Sequence, residues 1–292
     1  MAQTPERQVP GVYHRRVGDI TVTALSDGYL DGSMAVLRNI APEDAARLLR
    51  EAHRPVPRRT AVNTFLIRAN GRLALVDTGC GTAMGPTVGR LPDNLAAAGV
   101  TPAEVDTVLL THMHPDHSNG LADAAGAALF PNAELVLHAA ELAFWMDDAA
   151  MARADETARL RNFQAARDQS APYRARTRTF TAGEAFPGVT AVPLPGHTPG
   201  HTGYLIASGG ASLLIWGDIV HVPELQVPRP EVCMAFDIDP VQAEATRRRI
   251  FDRVATAGQA IAGMHLHFPG QAHLVRRGDG HALLPTAWSE AL

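Results

Sequence analysis

The sequence predicts an α/β chain of two similar β-rich halves with outer helices, and three observations predict it. An apolar hairpin ending in aspartate, with a nearby apolar strand ending in histidines, occurs twice along the chain. Both times the polar residues stand just past the strand ends, where open sheets gather their sites. No linker or low-complexity tract separates the halves, and 46% hydrophobic against 19% charged residues provides for a substantial core.

Residues 1–18 read as a surface arm. Residues 20–25 read as a strand closed by the turn signal Ser26-Asp27-Gly28. Ala41-Pro42-Glu43-Asp44 opens a helix to about Arg50, with proline and acid in its first turn and arginines later. The apolar runs 62–69 and 73–76 flank Asn70-Gly71, a hairpin signature, and the second run enters Asp77-Thr78-Gly79. A helix near 94–98 stops at Gly99. Strand 105–110 then feeds Thr111-His112-Met113-His114-Pro115-Asp116-His117. Residues 135–137 form a short strand, and 139–169 a helical stretch broken near Asp147-Asp148. Strand 189–192 runs into Pro195-Gly196-His197. Strands 204–207 and 213–216 make a second hairpin around Ser208-Gly209-Gly210, which leads into Gly217-Asp218. A helix follows at 240–257, then a strand at 261–264 that leads into His265-Leu266-His267. Residues 1–60 are expected to form an N-terminal extension packed on a 61–292 core, the whole being one compact unit.

Composition excludes several functions. The net charge of −4 leaves no electrostatic footprint for nucleic acid or an anionic membrane. No apolar run approaches the roughly 18 residues of a membrane span. All 26 basic residues are arginine, which removes lysine Schiff bases and phosphate-cradling P-loops. Cys80 and Cys233 cannot build a disulfide framework or a thiolate zinc module, and they read as small buried hydrophobes. The polar N-terminus has no apolar signal segment, so a cytoplasmic location is expected. The expected partner is a small-molecule substrate. A homodimer is compatible with the sequence, which leaves the oligomeric state open.

The stretch from His112 to His117 is the most informative. Three imidazoles and a carboxylate within six residues are costly to bury without partners. Pro115 bars a regular helix or central strand, which makes this a shaped loop at a strand end. His112 and His114 can point together while Asp116 and His117 turn to an adjacent position, so one loop can serve two neighbouring metals. Nitrogen-rich donors with one carboxylate and no thiolate suit Zn²⁺, with Mn²⁺, Co²⁺ or Fe as alternatives.

Written H-x-H-x-D-H, this stretch resembles the signature of the metallo-β-lactamase superfamily. Pro195-Gly196-His197, Gly217-Asp218, a late histidine at 265 and the Asp77-Thr78-Gly79 turn match as well. The resemblance covers roughly residues 20–275 and implies an αββα sandwich holding two divalent metals. Carried over position by position, it implies His112, His114 and His197 at site one. At site two it implies Asp116, His117 and His265, with Asp218 shared. The stretches Asn63-Thr64-Phe65-Leu66, Gly217-Asp218-Ile219-Val220-His221, Gln226-Val227-Pro228-Arg229-Pro230 and His265-Leu266-His267-Phe268-Pro269-Gly270 resemble the group of methyl parathion hydrolase and related lactonases and aryl esterases. That group follows its last ligand with an apolar, proline-rich stretch. Here His267 replaces the first proline, and the register of Phe268-Pro269-Gly270 favours His265 over His267 as the ligand.

The remaining candidates are supporting ones. Asp77 is expected to orient an imidazole through its free N–H. His201 is expected to orient a ligand or hold its loop, and His221 and His273 to line the pocket. His14, His53, His138 and His281 carry no context. The run Arg247-Arg248-Arg249 reads as a solvated helix face. Leu142, Phe144, Trp145, Met146, Val222, Leu225, Val227 and Phe236 are candidate apolar walls, about half of them expected to be plain core.

The function implied is a binuclear hydrolase with a metal-bridging hydroxide as nucleophile, Asp116 steering it and Asp218 holding both ions. The expected substrates are lactones or activated aryl esters, small and largely apolar. The alternatives are phosphotriester hydrolysis, a glyoxalase-II-type thioesterase, and a metal-binding protein without catalysis.

Overall fold

A computed structural model describes residues 8–292. The first half supplies β1 (Val12–Val17), β2 (Ile20–Gly32), β3 (Leu37–Arg38), β4 (Arg58–Ala69), β5 (Arg72–Val76), β6 (Thr107–Leu109), β7 (Glu134–His138) and β8 (Thr177–Phe180). The second supplies β9 (Gly183–Phe186), β10 (Val189–Pro193), β11 (Thr202–Ser208), β12 (Ala211–Ile215), β13 (Cys233–Met234), β14 (Ala260–Ala262), β15 (Gln271–Arg277) and β16 (Gly280–Pro285). They build two seven-stranded sheets, ordered β1-β2-β4-β5-β6-β7-β8 and β16-β15-β14-β12-β11-β10-β9, plus a small β13-β3 ladder. Pairing is parallel from β5 through β8 and between β12 and β14, and antiparallel elsewhere.

The strand period of two explains the layers. Phe65 and Ile67 of β4 enter a core shared with Tyr204, Ile206, Leu213 and Ile215 of the second sheet. Leu66 between them turns outward, onto Leu91 and Leu95 of the helix Leu91–Ala97 and onto Trp145 and Phe163 of the 139–170 helical stretch. On the far side, Leu214, Ile261 and Leu274 pack against Ile250, Phe251 and Val254 of the helix Pro240–Ala257. The result is the expected sandwich of helix, sheet, sheet and helix. The helix break at Asp147 is present, and Asp147 caps the next helix through Ala149 N. Among the described residues, no helix is long and apolar enough to cross a membrane.

Several expectations change. The part of the predicted arm beyond residue 7 contains β1, an edge strand paired along β2 from Val12↔Leu25 to Val17↔Ile20. Ser26-Asp27-Gly28 is a bulge inside β2 rather than a turn. Asp27 is buried there and accepts the amides of Cys80 (2.8 Å) and Leu91 (2.9 Å). Gly28, at φ 112°, lies so close to the Thr87 carbonyl that no Cβ would fit. The expected boundary at 60/61 falls inside β4. Arg247 leaves the predicted solvated face: it is 1% exposed and donates to the carbonyls of Ile219 (2.7 Å), Pro230 (2.6 Å) and Val232 (3.0 Å). One arginine of the run thus braces the loop that follows Asp218, while the other two remain outside.

Candidate metal centre

The candidate donors all stand past strand ends at one edge of the sandwich. β6 delivers His112 and His114, and the short helix Pro115–Ser118 turns Asp116 and His117. The loop after β10 delivers His197, the turn after β12 delivers Asp218, and the loop after β14 delivers His265. Asn63 of β4 clamps that last loop, its amide donating to the carbonyls of Met264 (3.0 Å) and Leu266 (2.7 Å).

Two groups result. His112 Nε2, His114 Nδ1 and His197 Nε2 form a triangle with edges of 3.0, 2.9 and 3.2 Å. Asp116 Oδ2 stands 3.7 Å from His117 Nε2 and 3.4 Å from His265 Nε2. A single oxygen joins the groups. Asp218 Oδ2 lies 3.2 Å from both His117 and His265, 3.4 Å from His197 and 3.7 Å from His112.

The donors fit divalent metals. Nitrogens about 2.0–2.1 Å from a tetrahedral Zn²⁺ stand roughly 3.3 Å apart, close to the observed triangle. Among the described residues, His117 Nε2 and Asp218 Oδ1 are buried with no hydrogen-bond partner, a costly arrangement that a cation relieves. Each of the candidate donor imidazoles that aims Nε2 inward has its Nδ1 tied outside, which fixes the ring. His117 donates to Asp77 Oδ2 (2.7 Å), His197 to Asp237 Oδ1 (2.7 Å), and His265 to the Ala61 carbonyl (2.8 Å). His112 Nδ1 meets Thr111 Oγ1 at 3.1 Å, and that hydroxyl donates to Asp77 Oδ2 at 2.7 Å. Asp77 therefore anchors one imidazole from each group, more than the single ring the sequence suggested.

The electrostatics agree. Burial alone would raise the Asp218 pKa, but His117, His265 and His221 hold it well below the carboxylate range. Burial opposes protonation of His265 as well, yet Asp218 and Asp116 outweigh it and push that imidazole up to about 10.

The supporting candidates separate. His201 Nδ1 donates to the Leu194 carbonyl (2.9 Å), while Nε2 accepts the Asp218 amide (2.9 Å), so it holds the backbone of the shared aspartate. His221 is at the site, with Nε2 2.9 Å from Asp218 Oδ2 and its ring stacked on His265 at 5.1 Å. His273 is not brought there. It pairs with Ala260 and Leu284, at the end of β14 remote from His265. His267 turns away to Glu224 (2.6 Å), and Arg54 holds the same carboxylate at 2.8 Å. Among the candidate walls, Leu142, Phe144, Trp145 and Met146 belong to the core under the first sheet, Val227 to the core outside the second, and Val222 and Leu225 to a small core beside the β13-β3 ladder. The half-buried Phe236 reaches the imidazoles, 6.2 Å from His114 and 5.2 Å from His221.

Three residues escaped the sequence reading: Asp237, Glu141 and Arg58. Asp237 follows a phenylalanine in an irregular loop, and no spacing rule marks it. Glu141 is fully buried and accepts four hydrogen bonds. Arg58 is 8% exposed, donates to Thr60 and leaves Nε without a partner. Burial lowers its pKa, and the field of Asp116 counters that.

Comparisons with known proteins show the family and the fold. A family model described as the metallo-beta-lactamase superfamily matches residues 57–257. A crystal structure of hydrolase AbOPH in the beta lactamase superfamily is 34% identical, with TM-score 0.91, over 97% of this chain and 100% of that one. The structure of AidC, a dizinc quorum-quenching lactonase in complex with a product, is 23% identical with TM-score 0.86, over 96% of this chain and 99% of that one. The uncharacterized protein YobT of Bacillus subtilis (strain 168) is 25% identical over 157 residues, which span 54% of this chain and 61% of that relative.

Proposed function

The chain belongs to the metallo-β-lactamase superfamily, and on that premise we propose that it is a binuclear hydrolase, most simply a dizinc one, of lactones and activated aryl esters. The observation that carries this reading is the position of Asp218 Oδ2, one oxygen within 3.2–3.7 Å of donors from both groups. When bound there, two divalent ions supply Lewis acidity and a water acidic enough to act as a nucleophile at neutral pH.

The chain's own residues supply the rest. Asp218 and the anchored imidazoles hold the centre without rearrangement. Asp116 is the most open of the seven donors, with its side chain 19% exposed against 0–3% for His112, His117, His197, Asp218 and His265 and 5% for His114 as a whole residue. That exposure suits it to orient the attacking water and pass its proton outward. Phe236 offers an apolar edge beside the imidazoles, which favours an uncharged acyl or aryl group over a strongly anionic one. Arg58 places one buried cation in the field of Asp116 rather than a cluster.

Attack on a planar carbonyl develops one oxyanion beside the ions. A phosphotriester must fit three substituents around its phosphorus and so demands a more closely shaped pocket. With equal metal loading, kcat/KM for dihydrocoumarin and phenyl acetate is expected to exceed that for a dimethyl aryl phosphotriester. If the phosphotriester is faster by about tenfold, or ~1.4 kcal/mol in transition-state stabilisation, the phosphotriesterase reading replaces this one. S-lactoylglutathione belongs in the same panel as the thioester control.

A further inference from the structure

We propose that Glu141 is a positioning residue that sets the affinity of the first metal site and leaves the second untouched. This rests on the two-site reading above but not on the substrate class. Glu141 lies on the helix Ala139–Met146 and is fully buried. Its Oε1 accepts the amide of Met113 (2.9 Å) and the indole N–H of Trp145 (2.6 Å). Its Oε2 accepts the hydroxyl of Thr198 (2.6 Å) and the amide of Gly200 (3.0 Å). Four donors fill the acceptor positions of one carboxylate.

Those donors share a destination. Met113 lies between His112 and His114, and Thr198 follows His197. The Trp145 ring stands 5.4 Å from the His114 ring. Gly200 approaches so closely that a Cβ there would lie 2.3 Å from the Glu141 amide nitrogen. One carboxylate therefore spans the two loops whose imidazoles make the 2.9–3.2 Å triangle. His117 shares the 111–118 loop with His112 and His114, but its ring is held by Asp77, and the His265 ring by the Ala61 carbonyl, neither of them through Glu141. Among the described residues Glu141 stands in no ion pair; burial raises its pKa, and the four hydrogen bonds counter that. A buried anion is a costly way to join two loops. What it supplies is a fixed spacing, because both oxygens of a rigid planar group must be satisfied together.

The test is stepwise Co²⁺ titration of chelator-stripped full-length protein. Anomalous diffraction at one and two equivalents assigns each ion to the His114 or the Asp116 side. Glu141→Gln keeps the shape but turns an N–H₂ group toward donors. It is expected to weaken the His114-side ion by about 10–100-fold, as loss of an outer partner to metal-bound histidine does, with the Asp116-side affinity unchanged. Thr198→Val removes one of the four bonds and is expected to give a smaller shift at the same site, which keeps the test available if the glutamine variant does not fold. Unchanged affinities in both variants, or equal weakening at both sites, would overturn the proposal. Because the readout is metal binding, it stands or falls independently of the substrate panel.

Discussion

Replacing Asp218 with alanine is expected to abolish hydrolysis while leaving the chain folded. The carboxylate Oδ2 lies within 3.2–3.7 Å of donors from both candidate sites. Removing the carboxylate leaves three donors at each site and no shared ligand to hold two cations close together. Metal catalysis supplies several kcal/mol of transition-state stabilisation, so a loss on the order of 10³-fold or more in kcat/KM is expected. The fold should persist, because the cores lie elsewhere and His201 holds the position-218 backbone amide rather than the side chain. Initial rates beside a circular dichroism melt check this. Unchanged turnover with full metal content would remove Asp218 from its assigned place.

Stripping the metals is expected to have an equally large effect on activity and a clear one on stability. A ligand bound only by the folded chain, at about a thousandfold over its dissociation constant, contributes ~4 kcal/mol. For a chain of this size that corresponds to a Tm lower by roughly 8 °C in the stripped protein. The pH dependence has a definite sign. With the His265 imidazole at about 10 in the metal-free chain, a cation must displace a proton there at any lower pH. Metal affinity is therefore expected to fall as pH falls, and binding to release protons into a weakly buffered solution. Calorimetry in buffers of different ionisation enthalpy measures that release. A stripped protein with unchanged Tm and activity would contradict the account.

The site was legible where chemistry forces residues close together in sequence. Three histidines and an aspartate in six residues, and the Asp77-Thr78-Gly79 turn, mark themselves because few structural roles call for them. The hairpin at Asn70-Gly71 and the helix Pro240–Ala257 were equally plain, through turn chemistry and a clean N-terminal proline with a glycine stop. What stayed hidden depends on contacts distant in sequence. Glu141 is one acid on a helix, and only its burial against the loops at 113 and 198–200 reveals its use. Arg58 alternates with Arg59 on a strand, and Arg247 is turned about 100° from Arg248 on a helix, so neighbours in each arginine run face different surroundings. β8, β9 and β16 are edge strands and β15 lies beside one, and arginine, threonine and glycine there blur the alternation on which a strand reading depends. The bulge at Ser26–Gly28 carries turn residues because Asp27 must turn inward to two amides, and the same residues serve both geometries.

The most direct test of the central claim is an anomalous difference map from a crystal of the zinc-loaded protein. Two peaks about 3.5–4 Å apart are expected, one against His112, His114 and His197 and the other against Asp116, His117 and His265, with Asp218 between them. A single peak, or a second one bound by His267 instead of His265, would contradict it.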